Sequence, residues 1–476
     1  MKTAVAPQLP IHTGNNPQTS IARSQQVLSP ILGSDGNRTY LGEVPLMNRD
    51  DALAALNKAV ESYDYGTGEW ARASLETRAS AVRKFNDYLS ENREKIADLL
   101  MWEICKTKSD ALKEVDRTIE YMEKTIDSAL APHQDKRASL GVMLLMGPSN
   151  YPINETLTVM LPSLLMGNSV IIKTPKVGAL AVLALEEGFK KCFPEGVVSM
   201  LSGDGQELIT PIVESGKLNA LCFIGGTNTA KRILGNNPNP HKLKVVLGLG
   251  AKNPGIILPD ADLEKTASEC VKGALSFNGQ RCTALKALFV HTAVAEQFSK
   301  LMKKEVEKLQ CGNPWEEGVT ITPIEPSSVE FMETLVNDAI ATSGATVINN
   351  NGGTSEGNLY TPAVLYPVTV DSRIAHEEQF GPVVPIIPFD DESEVIEWMK
   401  HSNFAQQVSI FTTNKAGHEE LVNAAKNIYS RINFNTQCQR SPDDLPFTGS
   451  RDSGMGVLSI KDALLEFSRP VVVQGE

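Results

Sequence analysis

Between Val142 and Leu247 the chain alternates short apolar runs with amphipathic stretches. The runs predict strands at Val142–Met146, Ser169–Lys173, Val197–Leu201, Ala220–Ile224 and Lys244–Leu247. Helical periodicity fills the gaps, over Glu155–Met166, Leu180–Cys192, Gln206–Glu214 and Asn228–Leu234. Strands spaced by helices of this length are joined by crossovers, which makes the sheet mainly parallel. Ligands of such a sheet bind beyond the carboxyl ends of its strands. A second alternating series predicts a second α/β domain. It comprises Gly255–Leu258, a helix over Asp262–Phe277, Lys286–His291, a helix over Ala293–Leu309, Ala345–Asn349, Val383–Phe389 and Val408–Thr412. Upstream, residues 76–130 carry long helical patterns broken near Asn92. The tail ends in Val471-Val472-Val473, an edge strand able to pair with another subunit.

At 476 residues the chain is too long for one core, and ~100–200 residues per domain implies two or three. The net charge of −12 argues against nucleic acid or an anionic membrane as the main partner. Against that background any cluster of arginines stands out. No apolar run approaches the roughly 18 residues of a membrane span, so no membrane association is expected. Met1 to Pro30 is polar and proline-rich, unlike a secretory leader. The seven cysteines show no CxxC or metal-like spacing. No metal is expected, and a reducing cytoplasm is.

One of those cysteines carries candidate chemistry. Cys282 follows Phe277-Asn278-Gly279-Gln280-Arg281 and precedes Thr283-Ala284, in a loop between a predicted helix and a predicted strand. Reactive groups concentrate on loops held by rigid elements. The adjacent Arg281 guanidinium is expected to favour a thiolate, the nucleophilic form. The alternative is a buried, inert cysteine.

Five segments occur in an order that resembles the aldehyde dehydrogenase family. They are Pro148-Ser149-Asn150-Tyr151-Pro152, Gly167 to Lys173, Gly250-Ala251-Lys252-Asn253-Pro254, the Cys282 segment, and Glu377-Glu378-Gln379-Phe380-Gly381-Pro382. The likeness runs from about residue 50 to the C-terminus. Asn150 to Asn154, Gly279 to Ala284 and Asn435 to Asp443 are most similar to the non-phosphorylating, NADP-dependent glyceraldehyde-3-phosphate dehydrogenase branch. The resemblance implies an α/β fold with a Rossmann-type cofactor domain, an α/β catalytic domain and a small β oligomerisation segment. Expected boundaries are 1–124 and 140–250 for the cofactor domain, 251–454 for the catalytic domain, and 125–139 with 455–476 for oligomerisation. It also implies a homodimer or homotetramer.

Site roles follow from the same resemblance. Cys282 attacks an aldehyde, the Asn150 amide and the Cys282 N–H stabilise the resulting oxyanion, and hydride loss leaves a thioester. Lys173 holds the adenosine ribose, Gly225 and Gly226 meet the pyrophosphate at a helix start, Glu378 binds the nicotinamide ribose, and Phe380 packs beside it. Lys176 offers a point charge to a 2′-phosphate, which favours NADP over NAD, although a solvated surface lysine is the alternative. Ala230 departs from the glycine often found in the Gly225 segment.

Arg117, Arg281 and Arg440, with Tyr151 beside them, match residues that hold a substrate phosphate in that branch. Guanidinium forks suit phosphate or carboxylate. The expected substrate is therefore a small anionic aldehyde, with glyceraldehyde 3-phosphate leading and succinic semialdehyde as rival. Each arginine could instead pair with an acid such as Asp116 or Asp443. Finally, Gly248 stands where the family usually places a general-base Glu, and glycine cannot accept a proton. Another carboxylate such as Glu377 acting through water, acyl transfer to coenzyme A or another thiol, and impaired deacylation are the three explanations.

Overall fold

The computed structural model describes residues 23–131 and 136–475. Two parallel sheets dominate. The first has the order Gly454–Met455, Lys244–Gly248, Ala220–Ile224, Val142–Met146, Ser169–Lys173, Val198–Leu201, and only the Gly454–Met455 edge runs antiparallel. All five strands predicted upstream of Gly248 are present. Val142–Met146 is buried along its whole length, as expected for a strand covered on both faces.

The second sheet has the order Thr346–Val347, Ala363–Tyr366, Val383–Phe389, Leu285–His291, Asn253–Ile257, Gln407–Phe411, Arg431–Phe434. Its strands are parallel except Thr346–Val347. Two apolar layers flank each sheet. The strands Lys244–Gly248 and Asn253–Ile257 follow one another in the chain, so the carboxyl end of the first sheet leads directly into the second.

Several expectations need correction. The helical region beyond Asn92 breaks again after Glu103, where Cys105 takes a φ of 56°, before Thr107 caps Lys108–Ala129. The helix expected over Leu180–Cys192 is two helices, Ala179–Leu183 and Glu186–Cys192. An N-terminal hairpin, Ser24–Leu32 with Arg38–Pro45, was not anticipated.

Within the expected oligomerisation segment at 125–139, the described residues are helical to Ala129 and form a strand at Arg137–Ser139. Residues 1–22, 132–135 and 476, which fall within the cofactor-domain and oligomerisation assignments, lie outside the described residues. In the tail the strand is Ser468–Pro470, paired antiparallel with Arg137–Ser139, rather than Val471–Val473. Val471 adds one ladder hydrogen bond, to the Lys136 carbonyl, while Val472 and Val473 are exposed. Before that strand, helix Ile460–Glu466 buries Ala463 and Leu464 in the same core as Val115 and Leu161. Among the described residues no helix is long and apolar enough to cross a membrane.

Candidate active site

A cavity of about 790 Å³ opens at the carboxyl ends of the first sheet, and Cys282 lies on its wall. The thiol is positioned by a turn that few sequences could make. Helix Leu263–Leu275 runs into Ser276–Gly279, where Phe277, Asn278 and Gly279 have φ of 50°, 55° and 71°. A Cβ on Gly279 would lie 2.6 Å from the Gly381 carbonyl oxygen, so this left-handed position requires glycine. Asn278 is locked by a reciprocal pair of hydrogen bonds with Thr322, at 3.0 and 2.9 Å. Beyond the turn, the Asn253 amide donates to the Cys282 and Ala284 carbonyls at 2.8 and 3.1 Å. The expected loop between helix and strand is therefore a rigid one.

Asn150 reaches the same place from the end of strand Val142–Met146. Its Nδ2 donates to the Gln280 carbonyl at 2.8 Å, and the amide's second N–H is available to an oxyanion. The segment is anchored by helix Asn154–Leu165. Buried Glu114 accepts from the Ile153 and Asn154 N–H groups, both at 3.1 Å, and forms a buried ion pair with Lys106. Carboxylates favour helix starts because unpaired N–H groups point outward there. The Lys106 ammonium sits 3.3 Å from the centre of the Tyr151 ring, which also packs edge-on against Phe277.

At the cofactor end, Gly225 and Gly226 join strand Ala220–Ile224 to helix Thr227–Gly235. A Cβ on Gly226 would meet nothing within 4 Å, which leaves room for a close anion. Lys173, whose burial lowers its pKa, ends strand Ser169–Lys173, two strands away in the same sheet, and exposed Lys176 lies on the cavity wall. Arg232 lines the cavity as well. Three cations beside an open helix start fit a phosphorylated dinucleotide. Glu378 accepts from the Ala251 N–H at 3.0 Å and pairs with buried Lys286 at 3.2 Å, and Lys286 stands 4.8 Å from the centre of the Phe380 ring.

Every sequence-predicted site residue lines this one cavity: Cys282, Asn150, Gly248, Lys173, Lys176, Gly225, Gly226, Glu378, Phe380, Arg117, Tyr151, Arg281 and Arg440. Their electrostatics differ from expectation in three respects. Arg281 turns from the thiol to the Gly273 carbonyl at 2.7 Å and Gln437 Oε1 at 3.2 Å, with its Nε buried and without a partner. Cys282 is consequently no ready thiolate. Burial pushes its thiol up to about 11, and Glu155 adds to the rise while Arg440 opposes it.

Second, two of the three arginines already have acids. Arg117 binds Asp443, with Nε 3.3 Å from Oδ2, whereas Asp116 is taken by Arg93. Arg440, itself buried, forms an ion pair with Glu155. Third, Glu377 is bound by Arg373 at 2.7 and 2.9 Å off the cavity wall, which holds its carboxyl below the usual range and removes it as a candidate base.

Gly248 leaves real space. A Cβ there would meet Ile224 at 3.4 and 3.5 Å, ordinary van der Waals contacts, so packing does not enforce glycine. Sequence reasoning missed Glu155 and Arg232. Glu155 had a readable signal, being the one charged side chain of helix Asn154–Leu165, directly after the Asn150 segment. Arg232 sits one and a half turns beyond Gly226 on the helix that starts there.

Comparison with known proteins agrees with this geometry. A model of the aldehyde dehydrogenase family matches residues 20–473. The chain is 33% identical over 431 residues to an NADP-dependent glyceraldehyde-3-phosphate dehydrogenase of Pisum sativum, covering 86% of this chain and 85% of the relative. It is 32% identical over 461 residues to an enzyme of the same description from Streptococcus equinus, covering 92% of each. A crystal structure of the Bacillus halodurans NADP-dependent glyceraldehyde-3-phosphate dehydrogenase complexed with NADP superposes with a TM-score of 0.87 at 32% identity, covering 98% of each chain. The two-sheet architecture, the cavity between strand ends and thiol loop, and these likenesses have one conclusion: the chain belongs to the aldehyde dehydrogenase family.

Proposed function

We propose that the protein oxidises a small anionic aldehyde to its acid with NADP, through a thioester on Cys282, and that glyceraldehyde 3-phosphate, giving 3-phosphoglycerate, is the leading substrate. The observation that carries this is the shared cavity, whose wall holds Arg117, Arg281 and Arg440 together with Cys282, and also Lys173, Lys176 and Arg232. Relatives about one-third identical and named for that activity support it.

Bound NADP supplies the hydride acceptor. The chain's own residues do the rest. Lys176 and Arg232 would take the 2′-phosphate, Gly226 the pyrophosphate, and Glu378 the nicotinamide ribose. Cys282 loses its proton to solvent, its sulfur bonds the aldehyde carbon, and the carbonyl electron pair moves onto oxygen. The free Asn150 N–H and the Cys282 N–H stabilise the oxyanion, and losing one such donor typically costs ~10²–10³ in rate. Arg281, bound so far to neutral oxygens only, offers its charge to the head group.

Succinic semialdehyde is the second reading, favoured by the charge balance. Glu155 and Asp443 offset two of the three guanidiniums, leaving one net positive charge for a head group. A monoanionic carboxylate matches that better than a phosphate dianion does.

NADPH formation with a panel of aldehydes tests both readings. Glyceraldehyde 3-phosphate should show the highest kcat/KM, with neutral aldehydes at least ~10-fold lower, the worth of one charge-assisted hydrogen bond. Preference for succinic semialdehyde would select the second reading. Absence of both turnover and a single-turnover burst for every aldehyde would reject oxidation altogether.

A further inference from the structure

Release of an acyl group from sulfur by water calls for a proton acceptor beside the thioester. Gly248 has none to offer. Among the described residues two carboxylates line the cavity, Glu155 and Glu378. Glu378 is held by the Ala251 N–H and the Lys286 ammonium. Glu155 is paired with Arg440 alone. It stands in the first turn of helix Asn154–Leu165, whose start is fixed by Glu114, and the Asn150 of the same segment is tied to Gln280, two residues from the thiol. Glu155 shares the cavity wall with Cys282, and its charge acts on the thiol, raising its pKa while Arg440 opposes the rise.

We infer that Glu155 is the base that activates water for release of the acyl group from Cys282, replacing the carboxylate that position 248 lacks. This rests on the oxidation proposed above. The substrate's anionic head and Glu155 compete for the same Arg440 guanidinium, so a bound head group frees a carboxylate oxygen for the water.

The step balances without a further reactant. Water passes one proton to Glu155 as its oxygen bonds the thioester carbon. Collapse of the tetrahedral centre breaks the carbon–sulfur bond, and the electron pair leaves with Cys282 as thiolate. The product departs as the carboxylic acid and ionises to solvent, and Glu155 returns its proton to the thiolate.

Glu155 therefore acts with opposite sign on the two half-reactions. Its charge disfavours the Cys282 thiolate and so slows acylation, while its basicity speeds release. A residue serving only the packing of Arg440 would slow both when replaced.

The test uses wild type, Glu155→Gln, and the double variant Glu155→Gln with Gly248→Glu. Each is mixed rapidly with NADP and with glyceraldehyde 3-phosphate or succinic semialdehyde, and is followed by NADPH absorbance and by intact-protein mass. Glutamine keeps an oxygen facing Arg440. In Glu155→Gln the burst should be as fast as in wild type or faster, turnover about 10²-fold lower, and the acyl adduct correspondingly long-lived. The double variant should recover at least tenfold of that loss.

An unchanged acyl lifetime in Glu155→Gln, or equal slowing of burst and turnover, would overturn the assignment while leaving oxidation intact. So would faster acyl loss in wild type on adding coenzyme A, which would identify a thiol acceptor instead. No burst in wild type would overturn the oxidation reading, and this inference with it. Should Glu155→Gln fail to fold, Glu155→Asp keeps the charge but shortens its reach. Its acyl lifetime should then lengthen, and an unchanged one would overturn the assignment.

Discussion

Glu155 and Arg440 are 285 positions apart in the chain, yet they form a part-buried ion pair on the wall that also carries Cys282. The pair decides how much charge the cavity shows a substrate. It also places a carboxylate within the field of the nucleophile. Removing one partner of such a pair leaves the other charged and unpaired, at a cost that approaches ~3–5 kcal/mol where the remaining group is fully buried.

That cost makes Arg281, rather than Arg440, the informative arginine. Arg281→Ala should raise KM about tenfold or more for phosphorylated or carboxylated aldehydes, the worth of a charge-assisted hydrogen bond, and leave neutral ones little changed. Arg440→Ala should instead lower stability in urea unfolding, by less than the ~3–5 kcal/mol typical of a fully buried pair, because Glu155 loses its partner but faces the cavity. Equal KM effects of Arg281→Ala on charged and neutral aldehydes would remove it from the head-group site.

With its thiol pushed up to about 11, chiefly by burial, Cys282 should be protonated at neutral pH in the free protein. Alkylation by iodoacetamide should therefore accelerate about tenfold per pH unit from pH 7 to 10, levelling only near 11. In Glu155→Gln the same profile should shift to lower pH, since a negative neighbour is gone. A plateau already at pH 8 in wild type would show a thiolate poised before substrate arrives.

Two glycines, Gly248 on the cavity wall and Gly279 in the turn before Cys282, predict opposite outcomes. Gly248→Ala should be neutral or stabilising by up to ~1 kcal/mol, because its Cβ finds ordinary contacts in extended backbone. Gly279→Ala should destabilise by more than ~1 kcal/mol and disorder the thiol loop, since it combines φ of 71° with a clash against backbone. Urea unfolding of both variants, with alkylation of Cys282 as a local probe, makes the comparison.

Cofactor choice should turn on the exposed cation of the cavity wall. Lys176→Glu places a carboxylate where a 2′-phosphate would approach, and the KM for NADP should rise at least ~10-fold with NAD little affected. Parallel changes for both cofactors would put Lys176 outside the phosphate site.

Away from the cavity wall, Glu103 is buried and accepts the Leu180 and Ala181 N–H groups at the start of a short helix, each at 3.1 Å. Burial raises its carboxyl to about 7. A raised folded-state value means a contribution to stability that is complete below the ordinary carboxylate range and is lost as pH climbs through 7. Relative to Glu103→Gln, wild type should thus lose a few degrees of thermal midpoint between pH 5 and pH 8. A constant difference across that range would contradict the raised value.

Much of the fold was readable because its signals are local. A strand such as Val142–Met146 is apolar throughout, a helix such as Gln206–Glu214 repeats with its turn, and the two periods tell them apart. The short strand Thr346–Val347, predicted as Ala345–Asn349, shows where that fails, for its length is set by the partner Ala363–Tyr366. Likewise the tail strand falls at Ser468–Pro470 because pairing with Arg137–Ser139, not intrinsic preference, selects it.

The sequence by itself determined which side chains carry the chemistry: a cysteine on a turn that demands glycine, an amide beside it, lysines at strand and helix ends, three arginines, and a glycine in place of a base. Only the tertiary structure decided their charge states and partners. Arg281 was adjacent to the thiol in the chain but is drawn off by Gly273 and Gln437, whereas distant Glu155 and Arg440 came to line the same cavity as the thiol. The physical reason is that ionisation depends on burial and on charges nearby in space, and chain order records neither.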